Sequence, residues 1–202
     1  MWVYVSGLGQ YEESSEVTRL GYDRTVESCL AMLESDDAIL REGAARDLGR
    51  LAGTAAVGRS VSRLTQLLND DMSPFVRRGA AEGLGLIGTV ESFDSLHEAL
   101  VTEQDVTTKS YIEEGLSITA TFAVLDDPLA VNIPDEQAFP FFSKLVAEGK
   151  INDWKSIVIA RRVEPRQDEA MAALAGLAAS VDPDISKVAG VLKSALEKIG
   201  AK

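Results

Sequence analysis

The chain has 202 residues, 46% of them hydrophobic, which is enough for a sizeable core and excludes a wholly disordered protein. Its formal net charge of −12 disfavours binding to nucleic acid or to an anionic membrane, because both carry negative charge themselves. A protein partner with a basic surface would complement this charge. An acidic surface also promotes solubility, which requires no partner.

Cysteine usage and the N-terminal stretch suggest a compartment. Cys29 is the only cysteine, so no disulfide can form within the chain, and we expect a cytoplasmic protein. Cys29 lies on the apolar stripe of the first predicted helix, where we expect a buried and unreactive thiol. The apolar stretch at residues 1–11 has no basic residues and no long apolar run, so we expect neither a signal peptide nor a membrane-spanning helix.

Two segments of the N-terminal half repeat one pattern of a helix, a turn and a second helix. The segments are Leu33 to Gly53 and Leu67 to Gly88, and their matching residues are separated by a constant 36 positions. The first copy contributes Arg41, Gly43, Ala44, Ala45, Leu48 and Gly49, which match Arg77, Gly79, Ala80, Ala81, Leu84 and Gly85. The small residues allow neighbouring helices to approach closely. A two-helix repeat of this length is typical of an α-solenoid.

The spacing of apolar residues predicts helices along the whole chain. We expect them at about residues 24–34, 38–52, 92–101, 106–124, 136–148, 153–163, 167–179 and 183–199, with a further pair within 57–88. The sequence therefore predicts an all-α fold, an α-α superhelix of about five helix pairs that forms a single array over residues 1–202. Its parts are clear repeats at 24–88, a degenerate copy at 89–125, a proline-rich loop at 126–140 and divergent helices at 141–202.

The stretch from Asp70 to Gly88 resembles HEAT-like repeats, especially the short variety found in phycobilisome lyases. It shares the aspartate pair of the turn, then Val-Arg, Ala-Ala and Leu-Gly-x-Ile-Gly. In that family the aspartate of the turn commonly pairs with the arginine of the second helix along the stack. By position, the resemblance implies a structural ladder of Asp37 with Arg41 and Asp71 with Arg77. Later copies lack the arginine, so we expect the ladder to stop there.

One hypothesis is a non-enzymatic scaffold or adaptor. The second helix of each pair would line a concave surface that binds another protein. Helical phase places six charged residues on that surface: Glu42, Arg46, Arg78, Glu82, Glu113 and Glu114. Their mixed signs suggest specificity through polar complementarity. The alternative is that these side chains are only solvated.

The resemblance implies a second hypothesis, a chromophore lyase or chaperone. Such a protein would hold a linear tetrapyrrole and deliver it to a phycobiliprotein. The propionates of the tetrapyrrole would need cations, and Arg161, Arg162 and Arg166 beside Trp154 form the one basic and aromatic cluster that could supply them. The end of an ordinary amphipathic helix explains this cluster equally well.

Three other chemical interpretations are disfavoured, so we expect no catalytic residues, no metal and no cofactor. Gly83, Gly85 and Gly88 spell a dinucleotide-binding motif, but that motif needs a preceding strand and a following helix. His97 and Glu98 form one His-Glu pair, whereas the HEAT-like deoxyhypusine hydroxylases use several to hold two irons, and this chain has a single histidine. The negative charge argues against a HEAT-like DNA glycosylase.

Overall fold

The computed structural model describes residues 26–51, 57–147, 159, 162–163 and 166–200. Within these residues the regular elements are all helices and no strand is found, which confirms the predicted all-α fold. The helices are α1 at residues 26–32, α2 at Ala38–Arg50, α3 at Val57–Asp70, α4 at Pro74–Ile87, α5 at Val90–Thr102, α6 at Val106–Val124, α7 at Asp135–Ala147, α8 at Gln167–Ala178 and α9 at Pro183–Gly200.

The helices are arranged in neighbouring pairs that stack along the chain. Helix α4 packs on α2 and on α6 over much of its length, so these three second helices form one layer. Helices α3 and α5 contact each other over a shorter stretch in the other layer. Helix α7 packs on α6, while α9 packs on both α7 and α8. This arrangement is that of a HEAT-like helical solenoid.

Glycine residues allow the second helices to touch backbone to backbone. A Cβ atom placed on Gly49 would lie 2.6 Å from the Cα of Gly83, and one placed on Gly83 would lie 2.4 Å from the backbone oxygen of Ala45. Between α4 and α6, a Cβ on Gly85 would lie 2.5 Å from the Cα of Gly115. No side chain fits in these gaps, which explains why the repeat needs small residues on this side of each second helix.

The proline-rich loop is shorter than predicted, but the helix predicted to overlap it is confirmed. The sequence predicts a loop over residues 126–140 and a helix at about residues 136–148, and α7 spans Asp135–Ala147 and contains Pro140. Ala138 and Phe142 of α7 are fully buried. Burying this apolar stripe outweighs the hydrogen bond that Pro140 cannot donate. The loop therefore covers residues 126–134.

The arginine ladder connects different repeats. Arg41 donates to both carboxylate oxygens of Asp71, at 2.8 and 3.1 Å, and Arg77 donates to both of Glu103, at 2.7 and 2.9 Å. Asp37 instead caps the N-terminus of α2. The resemblance implied pairs within each repeat, Asp37 with Arg41 and Asp71 with Arg77, and this expectation is wrong for the side chains. The pairs form between successive repeats, because each arginine extends along the stack to the next turn.

Candidate functional site

The predicted partner-binding residues lie on one layer of the stack, which we call the second-helix face. It is defined by the exposed sides of α2, α4 and α6 and contains Glu42, Arg46, Arg78, Glu82, Glu113 and Glu114, all six partly exposed. Arg46 lies 3.0 Å from Glu42 on its own helix and 3.0 Å from Glu82 on α4. The Nε atom of Arg46 has no well-directed hydrogen bond among the described residues, so the contact with Glu82 is an ion pair without ideal geometry.

Arg78 connects α4 to the start of α6. Its guanidinium donates to Asp105 at 2.9 Å and lies 5.1 Å from the centre of the Phe75 ring. Hydrogen bonds from the Thr108 hydroxyl and, with a smaller effect, from Arg78 hold the pKa of the Asp105 carboxyl well below its usual range. Asp105 is absent from the sequence-based list, although its position ahead of a predicted helix could have indicated a charged cap.

The second-helix face extends to α7 through Glu113. The Lys144 ammonium lies 3.6 Å from Glu113 and 5.6 Å from the centre of the Phe141 ring. Ion pairs therefore join neighbouring helices in the sequence α2 to α4, α4 to α6 and α6 to α7. These pairs include Glu42, Arg46, Arg78, Glu82 and Glu113, and Glu114 lies next to Glu113 on the same helix.

The predicted tetrapyrrole cluster is only partly described. Trp154 and Arg161 lie outside the described residues. Arg162 donates to both carboxylate oxygens of Asp127 at 2.8 Å, and Arg166 contacts Asp127 at 3.4 Å. Both described arginines of the cluster are thus occupied by a buried carboxylate of the same chain.

Arg162 also binds the C-terminal end of α4. Its guanidinium donates to the backbone oxygens of Ile87 and Gly88, the latter at 3.0 Å, and lies 4.0 Å from the centre of the Phe122 ring. Burial tends to raise the pKa of the Asp127 carboxyl, but the hydrogen bonds and charge of Arg162 outweigh burial and lower it. No pattern in the sequence indicates this contact between distant segments.

Cys29 and His97, the two residues whose side chains could act in catalysis, lie on different helices. Cys29 is buried, as predicted, and burial together with the nearby charge of Asp47 raises the pKa of its thiol to about 11. His97 is exposed and lies 6.2 Å from both the Phe93 and the Phe141 rings, measured between ring centres. The described part of the chain contains no group of three or more His, Cys, Asp or Glu residues that could hold a metal ion.

The glycines of the apparent dinucleotide motif have structural roles. Gly83 and Gly85 lie within α4 at its contacts with α2 and α6. Gly88 ends α4 in the left-handed conformation with φ of 57°, and a Cβ there would lie 2.3 Å from the Phe122 ring. The structure thus places the motif at the end of a helix. Among the described helices, none is long and apolar enough to cross a membrane.

The paired, stacked helices define the class of the protein, an α-solenoid, and comparison with known proteins gives the repeat type. Residues 18–117 match the family model described as HEAT repeats. This match supports a HEAT-like repeat protein, in agreement with the stacked helix pairs. No curated protein matches the sequence. The solved structure of human deoxyhypusine hydroxylase in complex with glycerol is similar at 15% identity over 90% of this chain and 98% of that chain, but its TM-score of 0.28 is too low to support an argument.

Proposed function

We propose that this chain is a non-enzymatic scaffold that binds another protein through the second-helix face. The observation that supports this function best is the set of ion pairs that joins α2, α4, α6 and α7 across this face. Partly exposed pairs of this kind add little to folding stability. They do hold charges of both signs at defined positions, which favours a specific partner with complementary charges.

The packing of the second helices supports a preformed binding surface. Helices α2, α4 and α6 contact each other through backbone atoms, whereas α3 and α5 contact each other over a shorter stretch. A stack with one closely spaced layer curves towards that layer. We therefore expect the second-helix face to be the concave side, on which a partner would contact several helices at once.

Site-specific photocrosslinking tests this proposal. A photoreactive amino acid is placed at Gly43 on α2 and at Ser110 on α6, where neither substitution removes an ion pair. The matched control position is Glu98, which is exposed on α5 in the other layer. In lysate of the source organism, we expect one defined adduct from both face positions and none from position 98. Equal adducts at all three positions would contradict the proposal.

Charge reversal provides a second measurement. Arg78→Glu should remove the adducts formed from Gly43 and Ser110, because it changes the sign of a central charge on the face. Lys187→Glu makes the same change at an exposed position on α9 and should leave them intact. Circular dichroism of each variant shows whether the helices are retained. Adducts that survive Arg78→Glu would contradict a role for this face.

A further inference from the structure

Exposed apolar side chains collect at one edge of the stack. This edge contains the turns between α1 and α2, α3 and α4, and α5 and α6. Met72, Phe75 and Val106 are 96, 59 and 80% exposed there, and Ile39 and Val101 are 75 and 76% exposed. We call these five residues the turn-edge surface. Single exposed apolar residues are common on proteins, but their concentration along one edge is typical of a binding site.

The residues of the turn-edge surface lie at the ends of neighbouring helices. Ile39 and Phe75 are each the second residue of their helix, and Val106 is the first residue of α6. The helices that carry them touch at these ends: Arg41 bonds to Asp71 beside α4, and the Thr108 hydroxyl lies 3.5 Å from the backbone oxygen of Pro74. Packed helices generally lie about 8 to 10 Å apart, so we expect the three apolar side chains to follow one another at about that spacing.

The charge of this edge indicates which kind of molecule could bind there. The three arginines of these helix ends are each paired with a carboxylate: Arg41 with Asp71, Arg77 with Glu103 and Arg78 with Asp105. Asp36 and Asp70 add exposed carboxylates in the same turns, so the edge has a net negative charge. A second copy of the chain would bring the same negative charge to the contact, and an anionic membrane would also be repelled. A basic segment of another protein fits this edge.

We infer that the turn-edge surface binds an extended, basic segment of another protein in which apolar side chains recur at every third residue. Three residues of extended chain span about 9 to 10 Å, which matches the spacing of neighbouring helices. Apolar side chains of the segment would cover Ile39, Phe75 and Val106 in turn, and its basic residues would face Asp36 and Asp70. This inference rests on the proposed function, because it names the chemistry of the scaffold's partner.

A synthetic peptide provides the test. The probe is a fluorescein-labelled peptide of four Leu-Pro-Lys repeats, in which proline prevents helix formation, and binding to the full chain is measured by fluorescence anisotropy. Two control peptides replace every lysine by glutamate or place the leucines next to each other. We expect saturable binding of the probe and at least tenfold weaker binding of both controls. Failure of the probe to bind, or equal binding of the controls, would overturn the inference.

Variants of the chain locate the bound peptide. Phe75→Ser should weaken binding of the probe at least tenfold, because it removes the central apolar side chain. Leu129→Ser is the matched control, since Leu129 is exposed in the loop after α6, away from the turn edge, and it should change binding less than twofold. Equal effects of the two variants would overturn the inference. Sedimentation velocity tests whether a second copy of the chain binds this edge instead. If the chain forms dimers that Phe75→Ser dissociates, the edge is a contact between two copies and the inference is overturned.

The outcomes separate this inference from the proposed function. Adducts from Gly43 and Ser110 without peptide binding would leave the scaffold function in place and remove the turn-edge site. Peptide binding that Phe75→Ser weakens, without adducts from either position, would keep the turn-edge site and remove the second-helix face as a binding surface.

Discussion

Arg162 and Asp127 form a two-point ion pair that attaches a distant segment of the chain to the end of α4. Both of its N–H···O distances are 2.8 Å, and the two side chains are 14 and 6% exposed. We expect Asp127→Asn to lower the free energy of unfolding by about 3 kcal/mol, because the charge of Arg162 would lose its partner in a buried setting. Urea unfolding at pH 7 measures this change. The control is Asp47→Asn, which affects an exposed pair with Arg50 and should cost less than about 1 kcal/mol.

The same pair predicts how stability depends on pH. The pKa of Asp127 is lower in the folded chain than its ordinary value of about 3.9, so the folded state favours the charged carboxylate. The stabilisation is therefore fully present above that ordinary pKa and is lost as the pH falls through the folded pKa. The difference in unfolding free energy between the wild type and Asp127→Asn should stay constant from pH 7 to 5 and shrink below about pH 4. A difference that grows on acidification would contradict this assignment.

Replacing two glycines of equivalent helices by alanine should change the stability of the fold in opposite directions. In Gly83→Ala, the new Cβ would lie 2.4 Å from the backbone oxygen of Ala45, so we expect a loss of about 2 kcal/mol or more. Gly43 has no atom within 4 Å of an added Cβ, and Gly43→Ala should raise stability by about 0.5 to 1 kcal/mol through helix propensity. Thermal unfolding of both variants checks the pair. If Gly83→Ala is as stable as the wild type, the proposed helix contact is wrong.

These contacts show what the sequence could predict. The repeated glycines and alanines predict the close packing of α2 on α4, because only small residues permit it. The pairing of Arg41 with Asp71 was harder to predict, since Asp37 lies closer in sequence and only the stacking of successive repeats brings Asp71 to Arg41. The contact of Arg162 with Asp127 spans 35 residues and follows no periodic pattern, so it required the fold itself.

The arrangement of the charged side chains was predictable in part. Helical phase placed Arg46 and Glu82 on one common face, where they form an ion pair, because phase depends only on local geometry. Asp105 and Lys144, which complete the ion pairs, come from a turn and from a helix outside the clear repeats. The helix predicted to begin at about residue 136 matches α7, which begins at Asp135, whereas the loop predicted up to Pro140 is too long because burial of Phe142 favours the helix there.

The ladder pair between repeats should show measurable coupling. A double-mutant cycle of Arg41→Met and Asp71→Asn should give a coupling energy of about 1 to 2 kcal/mol, because both side chains are largely buried and the contact has two hydrogen bonds. The exposed pair of Arg50 and Asp47 is the control and should give below about 0.5 kcal/mol. Equal coupling in both cycles would show that burial does not strengthen the ladder pair.

The thiol of Cys29 should be unreactive in the folded protein. Its pKa is raised to about 11, and the side chain is buried in the core, so the thiolate is scarce and inaccessible at pH 8. We expect labelling by a thiol reagent at least a hundredfold slower in buffer than in 8 M urea. Fast labelling of the folded chain would contradict this prediction and indicate that the thiol can act as a nucleophile.

The backbone contacts among Gly49, Gly83, Gly85 and Gly115 also have a consequence for the entropy of association. Helices that touch through main-chain atoms have no layer of adjustable side chains between them, so we expect α2, α4 and α6 to move as one body. A partner of the proposed second-helix face would then meet a backbone whose ordering is completed when the chain folds. The backbone entropy lost on binding would come mainly from the partner.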